Sequence, residues 1–252
     1  MIYLKSRAEI ETMRRANVIV AEVLAALKEV VKPGMTTLDL DGLAERLTHE
    51  KGAVPAFKGY AVADKVFRHS LCTSVNEEIV HGIPSDRVLK EGDILGMDFG
   101  VVYEGYYGDS AVTVGLGRVS PEAERLMQVT ETALTEGIEM LREGNRLGDL
   151  GSTIQEIAER SGYSVVREFV GHGIGRKLHE EPPVPNYGEA GKGRPLRAGM
   201  VLAVEPMVNA GQKEISILDD GWTAVTRDRS LAAHFEHSIA VTEDGPYVLS
   251  RL

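Results

Sequence analysis

Two ten-residue stretches of this chain are versions of each other, and a chain that repeats in this way is constrained to fold with near symmetry. Residues 89–98 read LKEGDILGMD and residues 196–205 read LRAGMVLAVE. Leu, a basic residue, Gly, a branched aliphatic, Leu and a final acid coincide at a constant offset of 107 (196 − 89 and 205 − 98). DSAVTV at 109–114 and EHSIAV at 236–241 match in the same order, and so do HGIP at 81–84 and HEEP at 179–182. The offsets of the three pairs differ, so the intervening loops differ in length. Around these matches the order helix, helix, strands occurs twice. A capping-box pair, Ser6 and Glu9, opens an amphipathic stretch carrying Ile10, Met13, Val20, Leu24, Leu27 and Val31 that stops at KPG. A second helix carries Leu40, Leu43, Ala44 and Leu47, and Ser120-Pro121 starts a third. A fourth carries Leu150, Ile154, Ile157 and Ala158 after the break REGNRLGD. The expectation is one α+β domain, 1–252, built of pseudo-repeats about 1–115 and 120–252. Two antiparallel-rich strand sets would form one curved sheet, covered on one face by two helix pairs about a pseudo-twofold axis.

The repeat gives meaning to acids that otherwise have none. Asp98 closes the apolar run DILGMD and Glu205 closes VLAVE. A lone carboxylate at a strand end is ordinarily solvated, because burying it costs several kcal/mol. Here the repeat sets Asp98 equivalent to Glu205 and Asp109 equivalent to Glu236, which brings four acids to one axis. Strand parity agrees. YEGY at 103–106 reads as a two-residue hairpin with Glu104-Gly105 at its tip. Asp98 and Asp109 then project from one face of neighbouring strands, opposite or one diagonal step apart. Four carboxylates within a few ångströms repel strongly, and two divalent cations would balance their charge. His172, flanked by Gly171 and Gly173 in FVGHGIG, is the best fifth ligand, since glycines permit close backbone approach. His81 and His179 occupy matching places in the two halves and suit proton handling and substrate contact. The oxygen-rich donor set favours manganese, iron or cobalt over a purely structural zinc, with zinc and nickel as further candidates. Two metal ions can share a hydroxide and polarise a carbonyl, which is hydrolysis without a covalent intermediate. No GxSxG elbow, P-loop or dinucleotide fingerprint competes with this reading. Cys72 beside His81 offers a thiol nucleophile as a lesser alternative.

Composition narrows the setting. The net charge of −10 argues against broad nucleic-acid binding. The single cysteine permits no internal disulfide, which suits a reducing compartment. The start MIYLKSRAEI lacks the apolar core of a signal peptide, and the longest greasy stretch is cut by Glu22, Lys28 and Glu29. A cytoplasmic protein without membrane segments is the expectation.

Five stretches together, CTSVNEEIVHGIP (72–84), MDFGVVYEGYYGDSAVTV (97–114), FVGHGIGRKLHEEP (169–182), AVEPM (203–207) and HFEHSIAVT (234–242), resemble type I methionine aminopeptidases. The resemblance spans nearly the whole chain and is similar to the short bacterial form. It implies the pita-bread (creatinase/aminopeptidase-like) fold with two divalent metal ions. Asp98, Asp109, His172, Glu205 and Glu236 match the metal ligands, Asp109 and Glu236 the bridging pair. Glu205 matches the residue that takes the proton of the attacking water. His81 matches the histidine near the substrate amino group, and His179 the one that contacts the substrate carbonyl. Tyr60, Cys72 and Trp222 match the methionine pocket. Leu178 stands where the family usually has Phe, Arg68 where Pro is common, and the segment between Tyr60 and Cys72 is longer than usual. The implied reaction removes the initiator methionine from nascent polypeptides whose second residue is small, by a monomer that transiently contacts the ribosome. Rival readings are a prolidase or Xaa-Pro aminopeptidase, a non-catalytic pita-bread protein that binds peptides, and a structural magnesium or calcium protein.

Overall fold

Ser6 and Glu9 cap one another at the start of α1 (Arg7–Val30): the Ser6 hydroxyl accepts the Glu9 N–H and the Glu9 carboxylate accepts the Ser6 N–H. Residues 2–252 are described by the structure, a computed structural model. Val31, expected on the helix face, is the extended C-cap residue, and its N–H still reaches the Leu27 carbonyl at 2.9 Å. Thr36 and Asp39 repeat the capping box at α2 (Thr37–Glu50). Ser120 caps α3 (Pro121–Ile138), with Pro121 at its first turn, and α4 (Leu147–Arg160) completes the second pair.

Between the helix pairs run β1 (Val54–Pro55), β2 (Ala61–Val62), β3 (Lys65–Val66), β4 (Leu71–Val75), β5 (Glu78–Val80), β6 (Ile94–Tyr103) and β7 (Tyr106–Gly115). After α4 come β8 (Ser164–Val165), β9 (Gly171–Gly173), β10 (Glu180–Val184), β11 (Val201–Val204), β12 (Met207–Asn209), β13 (Ile215–Ile217) and β14 (Ala224–Thr226). The chain ends through β15 (Ala232–His234), β16 (His237–Thr242) and β17 (Gly245–Val248). The first half builds a sheet in the order β1-β6-β4 with β7 on β6, and the second a sheet β10-β9-β11-β16-β17. Every strand pair is antiparallel.

Each helix pair packs on its own sheet. Val20, Leu24, Leu27, Leu40 and Ala44 of α1 and α2 cluster with Leu95, Met97 and Phe99 of β6. Leu126, Leu134, Leu150 and Ile154 of α3 and α4 cluster with Leu202, Val204, Ile239 and Val241 of β11 and β16. Burial of each such side chain contributes about 1.5–3 kcal/mol, which holds the sheets rigidly enough to aim polar groups on their far face.

The curved sheet is stitched rather than continuous. The two large sheets meet at one isolated bridge, where the Glu236 N–H donates to the Ala111 carbonyl at 2.9 Å. Side chains reinforce the seam. Ser110 Oγ donates to the Glu236 carbonyl at 2.5 Å, and Ser238 Oγ to the Asp109 carbonyl at 2.9 Å. Thr113 Oγ1 donates to the His234 carbonyl at 2.7 Å and accepts its N–H at 3.0 Å. Smaller three-stranded sheets, β15-β12-β8 and β13-β14-β5, flank the seam. No described helix is long and apolar enough to cross a membrane.

Candidate active site

The β6–β7 turn is the expected two-residue hairpin, with Tyr103 paired to Tyr106 and both tip residues left-handed (φ 49° at Glu104, 77° at Gly105). Its register pairs Asp98 with Ala111 and Gly100 with Asp109, so the two acids lie one diagonal step apart on the same face. Glu205 follows the end of β11 and Glu236 precedes β16, the next strand of that sheet. Asn17 of α1 reaches under the first sheet and accepts the Asp109 N–H at 3.2 Å, fixing that strand against the helix.

His172 sits at the centre of β9, sandwiched between β10 and β11. Its flanking glycines serve close approach. A Cβ at Gly171 would lie 2.3 Å from the Ala203 carbonyl oxygen, and one at Gly173 would lie 2.3 Å from that of Glu181. The His172 ring donates from Nδ1 to the Gly173 carbonyl (2.9 Å), which leaves Nε2 with a free lone pair. That nitrogen lies 3.6 Å from a Glu205 oxygen and 3.8 Å from an Asp109 oxygen. One donor atom each from Asp109, His172 and Glu236 fall within 4.8 Å of one another.

Asp109, His172 and Glu236 are buried, Asp98 and Glu205 are partly buried, and the set is short of partners. Asp98 Oδ1, Asp109 Oδ1 and Glu236 Oε1 have no hydrogen-bond partner. Buried acceptors of this kind need compensation, and a cation supplies it. Without one, burial pushes the Asp98 carboxyl up to about 7. Burial, and then the neighbouring carboxylates, hold Asp109, Glu205 and Glu236 well above the ordinary range. Burial, with a smaller contribution from His179, lowers His172 to about 3, so the ring is neutral and able to act as a ligand. The donor set therefore fits divalent metal ions.

All eleven residues singled out from the sequence line one cavity of about 210 Å³. Tyr60, Cys72, Leu178 and Trp222 form its apolar end. The Tyr60 hydroxyl and His179 Nδ1 share a 2.6 Å hydrogen bond, and the His179 ring packs edge-on to His172 with centroids 4.4 Å apart. His81 is held at φ 60°, a backbone conformation costing about 1–3 kcal/mol for a residue with a side chain, and packs edge-on to Phe169. Burial, then His179, lowers it to about 4, so it too is neutral at pH 7. Burial also pushes the Cys72 thiol well above its ordinary value, which removes the thiolate that a cysteine nucleophile requires.

Several wall residues escaped the sequence reading. Phe57 and Phe67 complete the apolar end, Phe67 edge-on to Trp222. Phe169 opens the histidine stretch FVGHGIG, and Val62 comes from the β2–β3 hairpin, the extra length noted between Tyr60 and Cys72. His234, two residues before Glu236, is buried with Nε2 unpartnered and 3.7 Å from Glu205 Oε2. Its place in HFEHS was the available signal.

Residues 11–243 match metallopeptidase family M24. This chain belongs to family M24. The M24 chain is 50% identical to a methionine aminopeptidase of Clostridium perfringens over 99% of both proteins. It is 49% identical to methionine aminopeptidase 1 of Bacillus subtilis over 100% of both. Its structure superposes on the crystal structure of methionine aminopeptidase from Thermotoga maritima with a TM-score of 0.97 at 45% identity, covering 100% of each chain. The prolidase of Pyrococcus horikoshii shares the fold, at TM-score 0.78 and 24% identity, and this chain covers 63% of it. The M24 pita-bread fold is thus the one that the resemblance implies, and its paired sheets and helices follow the repeat.

Proposed function

We propose that this M24 chain is a methionine aminopeptidase that removes the initiator methionine from nascent polypeptides with a small second residue. The observation that carries the proposal is the junction of an apolar slot with a carboxylate–imidazole cluster in one cavity. The thioether side chain of a first-residue methionine fits the slot of Phe57, Tyr60, Phe67, Cys72, Leu178 and Trp222, where its burial contributes about 1.5–3 kcal/mol. The scissile bond then lies over the acids. Beyond it Phe169, edge-on to His81, and Val80 face the second residue and exclude bulk.

Asp98, Asp109, His172, Glu205 and Glu236 would hold two divalent ions. When bound, such ions supply Lewis acidity and a water that is nucleophilic near pH 7. Glu205 would take up the proton of the attacking water at its carboxylate. Neutral His179, steadied by Tyr60, donates a hydrogen bond to the substrate carbonyl, and neutral His81 accepts one from the substrate amine. Cobalt, manganese and iron suit this donor set, with zinc and nickel as further candidates. The chain acts as one catalytic domain and a monomer in the cytoplasm, meeting its substrate at the ribosome.

The test is methionine release by metal-stripped protein after adding back Mn²⁺, Fe²⁺ or Co²⁺. Met-Ala-Ser should be cleaved only with metal, and Met-Leu-Ser and Ala-Pro-Ser not at all. Cleavage of Ala-Pro-Ser alone would replace this reading with an Xaa-Pro peptidase. Metal binding without any cleavage would leave a peptide-binding protein.

A further inference from the structure

The loop from Gly175 to Glu180 carries Leu178 and His179 into the cavity, while His179, Arg176 and Lys177 all keep substantial exposure. The Tyr107 N–H holds one end of the loop through the Gly175 carbonyl at 2.8 Å and the β9–β10 pair holds the other, and a further brace comes from the other end of the chain. Lys5, 5% exposed, reaches Glu180 with an Nζ–Oε2 distance of 2.7 Å. The other Glu180 oxygen accepts the Lys177 N–H at 3.2 Å, so this carboxylate folds the turn around His179 and hands it to Lys5. The Lys5 backbone is itself anchored, its N–H donating to the Gly199 carbonyl at 2.7 Å just before β11. A second tether runs in parallel. Arg176 donates to the Tyr106 hydroxyl at 2.8 Å and lies over its ring, and that hydroxyl donates to Glu9 of α1 at 2.8 Å.

Gly175 makes the first tether possible. A Cβ there would lie 2.6 Å from Lys5 Cε and 2.7 and 2.9 Å from the two Glu180 oxygens. Any side chain at 175 would wedge the ion pair apart. The Tyr60 hydroxyl and the His172 ring touch the His179 side chain, whereas the Lys5–Glu180 pair ties down the backbone on either side of it, through the Lys177 N–H and Glu180 itself.

We infer that the buried Lys5–Glu180 pair is a latch by which the N-terminal segment positions His179 over the scissile bond. Lys5 is a positioning residue: it touches neither substrate nor the metal donors. This rests on the proposed role of His179 in holding the substrate carbonyl. A displacement of about 1 Å at such a group lowers turnover by up to roughly a hundredfold.

The experiment compares the metal-loaded parent with Lys5→Met, Lys5→Arg, Gly175→Ala and the double variant Lys5→Met/Glu180→Met. The double variant guards against misfolding, since an apolar pair replaces a buried ion pair with little loss of stability. Three readouts are taken: kcat and KM on Met-Ala-Ser, metal affinity by calorimetry, and the ¹⁵N imidazole resonances of His179 in Zn²⁺-loaded protein, assigned by their loss in His179→Gln. The latch predicts that Lys5→Met, Gly175→Ala and the double variant lose at least about tenfold in kcat and shift the His179 resonances. KM and metal affinity stay within about twofold, and Lys5→Arg recovers most of the kcat. Folded Lys5→Met and Gly175→Ala proteins with parental kcat and unmoved His179 resonances would overturn the latch and leave a mere structural staple. If the parent releases no methionine, the proposed function falls, and the resonances alone still decide the latch.

Discussion

Replacing Asp98 by Asn should make the metal-free protein more stable while ruining its metal site. Asp98 stands on β6 beside Asp109, Glu205 and Glu236, and burial raises its pKa from an ordinary 3.8 to about 7. The folded protein therefore keeps this proton at a pH where the unfolded chain has released it. Stability from this group is complete below about pH 4, falls as pH rises through the interval, and is gone above about pH 7. A shift of about three units corresponds to about 4 kcal/mol at most between those limits. The amide introduced by Asp98→Asn carries no charge to desolvate, so the variant escapes that loss. Urea unfolding in a chelator at pH 5 and pH 8 reads the difference. The parent should lose up to about 3 kcal/mol more than Asp98→Asn between the two, since about two of the three units lie above pH 5, leaving the variant the more stable at pH 8. Saturating metal should reverse the order, since a bound ion stabilises only the form that binds it well. A metal-free Asp98→Asn protein equal to or weaker than the parent at pH 8 would refute the claim that this carboxylate is held against its own solvation.

Gly173→Ala should force β9 away from β10, because its Cβ meets a carbonyl oxygen 2.3 Å away; urea unfolding should show a loss of about 1–3 kcal/mol, and calorimetry weaker metal binding through His172. Tyr60→Phe removes the 2.6 Å hydrogen bond to His179, so kcat/KM should fall about three- to tenfold with an unchanged melting temperature. Exchanging residues 61–66, all exposed, for Gly-Gly should leave the melting temperature within about 2 °C and raise KM for Met-Ala-Ser, as Val62 leaves the cavity wall.

The four helices were legible because caps and apolar spacing are local: Ser6 with Glu9, and Ser120 before Pro121, mark their starts without reference to anything distant. The acids were legible for a different reason. Side-chain parity along β6 and β7 follows from one tight turn, and the repeat carries the inference to Glu205 and Glu236. The sheet's true connectivity was not, because β5 joins β14 across the long run of chain between Val80 and Ala224, and no periodicity encodes that pairing. Nor was Phe169 or His234 singled out, although both lie in stretches the sequence marks, FVGHGIG and HFEHS, because what each faces is decided by tertiary packing. The β2–β3 hairpin showed in the sequence as length alone; that it turns Val62 toward the cavity is a matter of tertiary packing.

The seam between β7 and β16 puts Asp98 and Asp109 on one side and His172, Glu205 and Glu236 on the other. The two large sheets share one backbone bridge and a few hydroxyl contacts there, so a cation bound at this point would act as a clasp between the halves, beside the apolar cluster they share. The two halves are also joined by the β5–β14 pair and are continuous in sequence through the short stretch before Ser120. Cut there, the two pieces should find one another again, and reassociation should be tighter when a divalent ion is offered than when it is chelated.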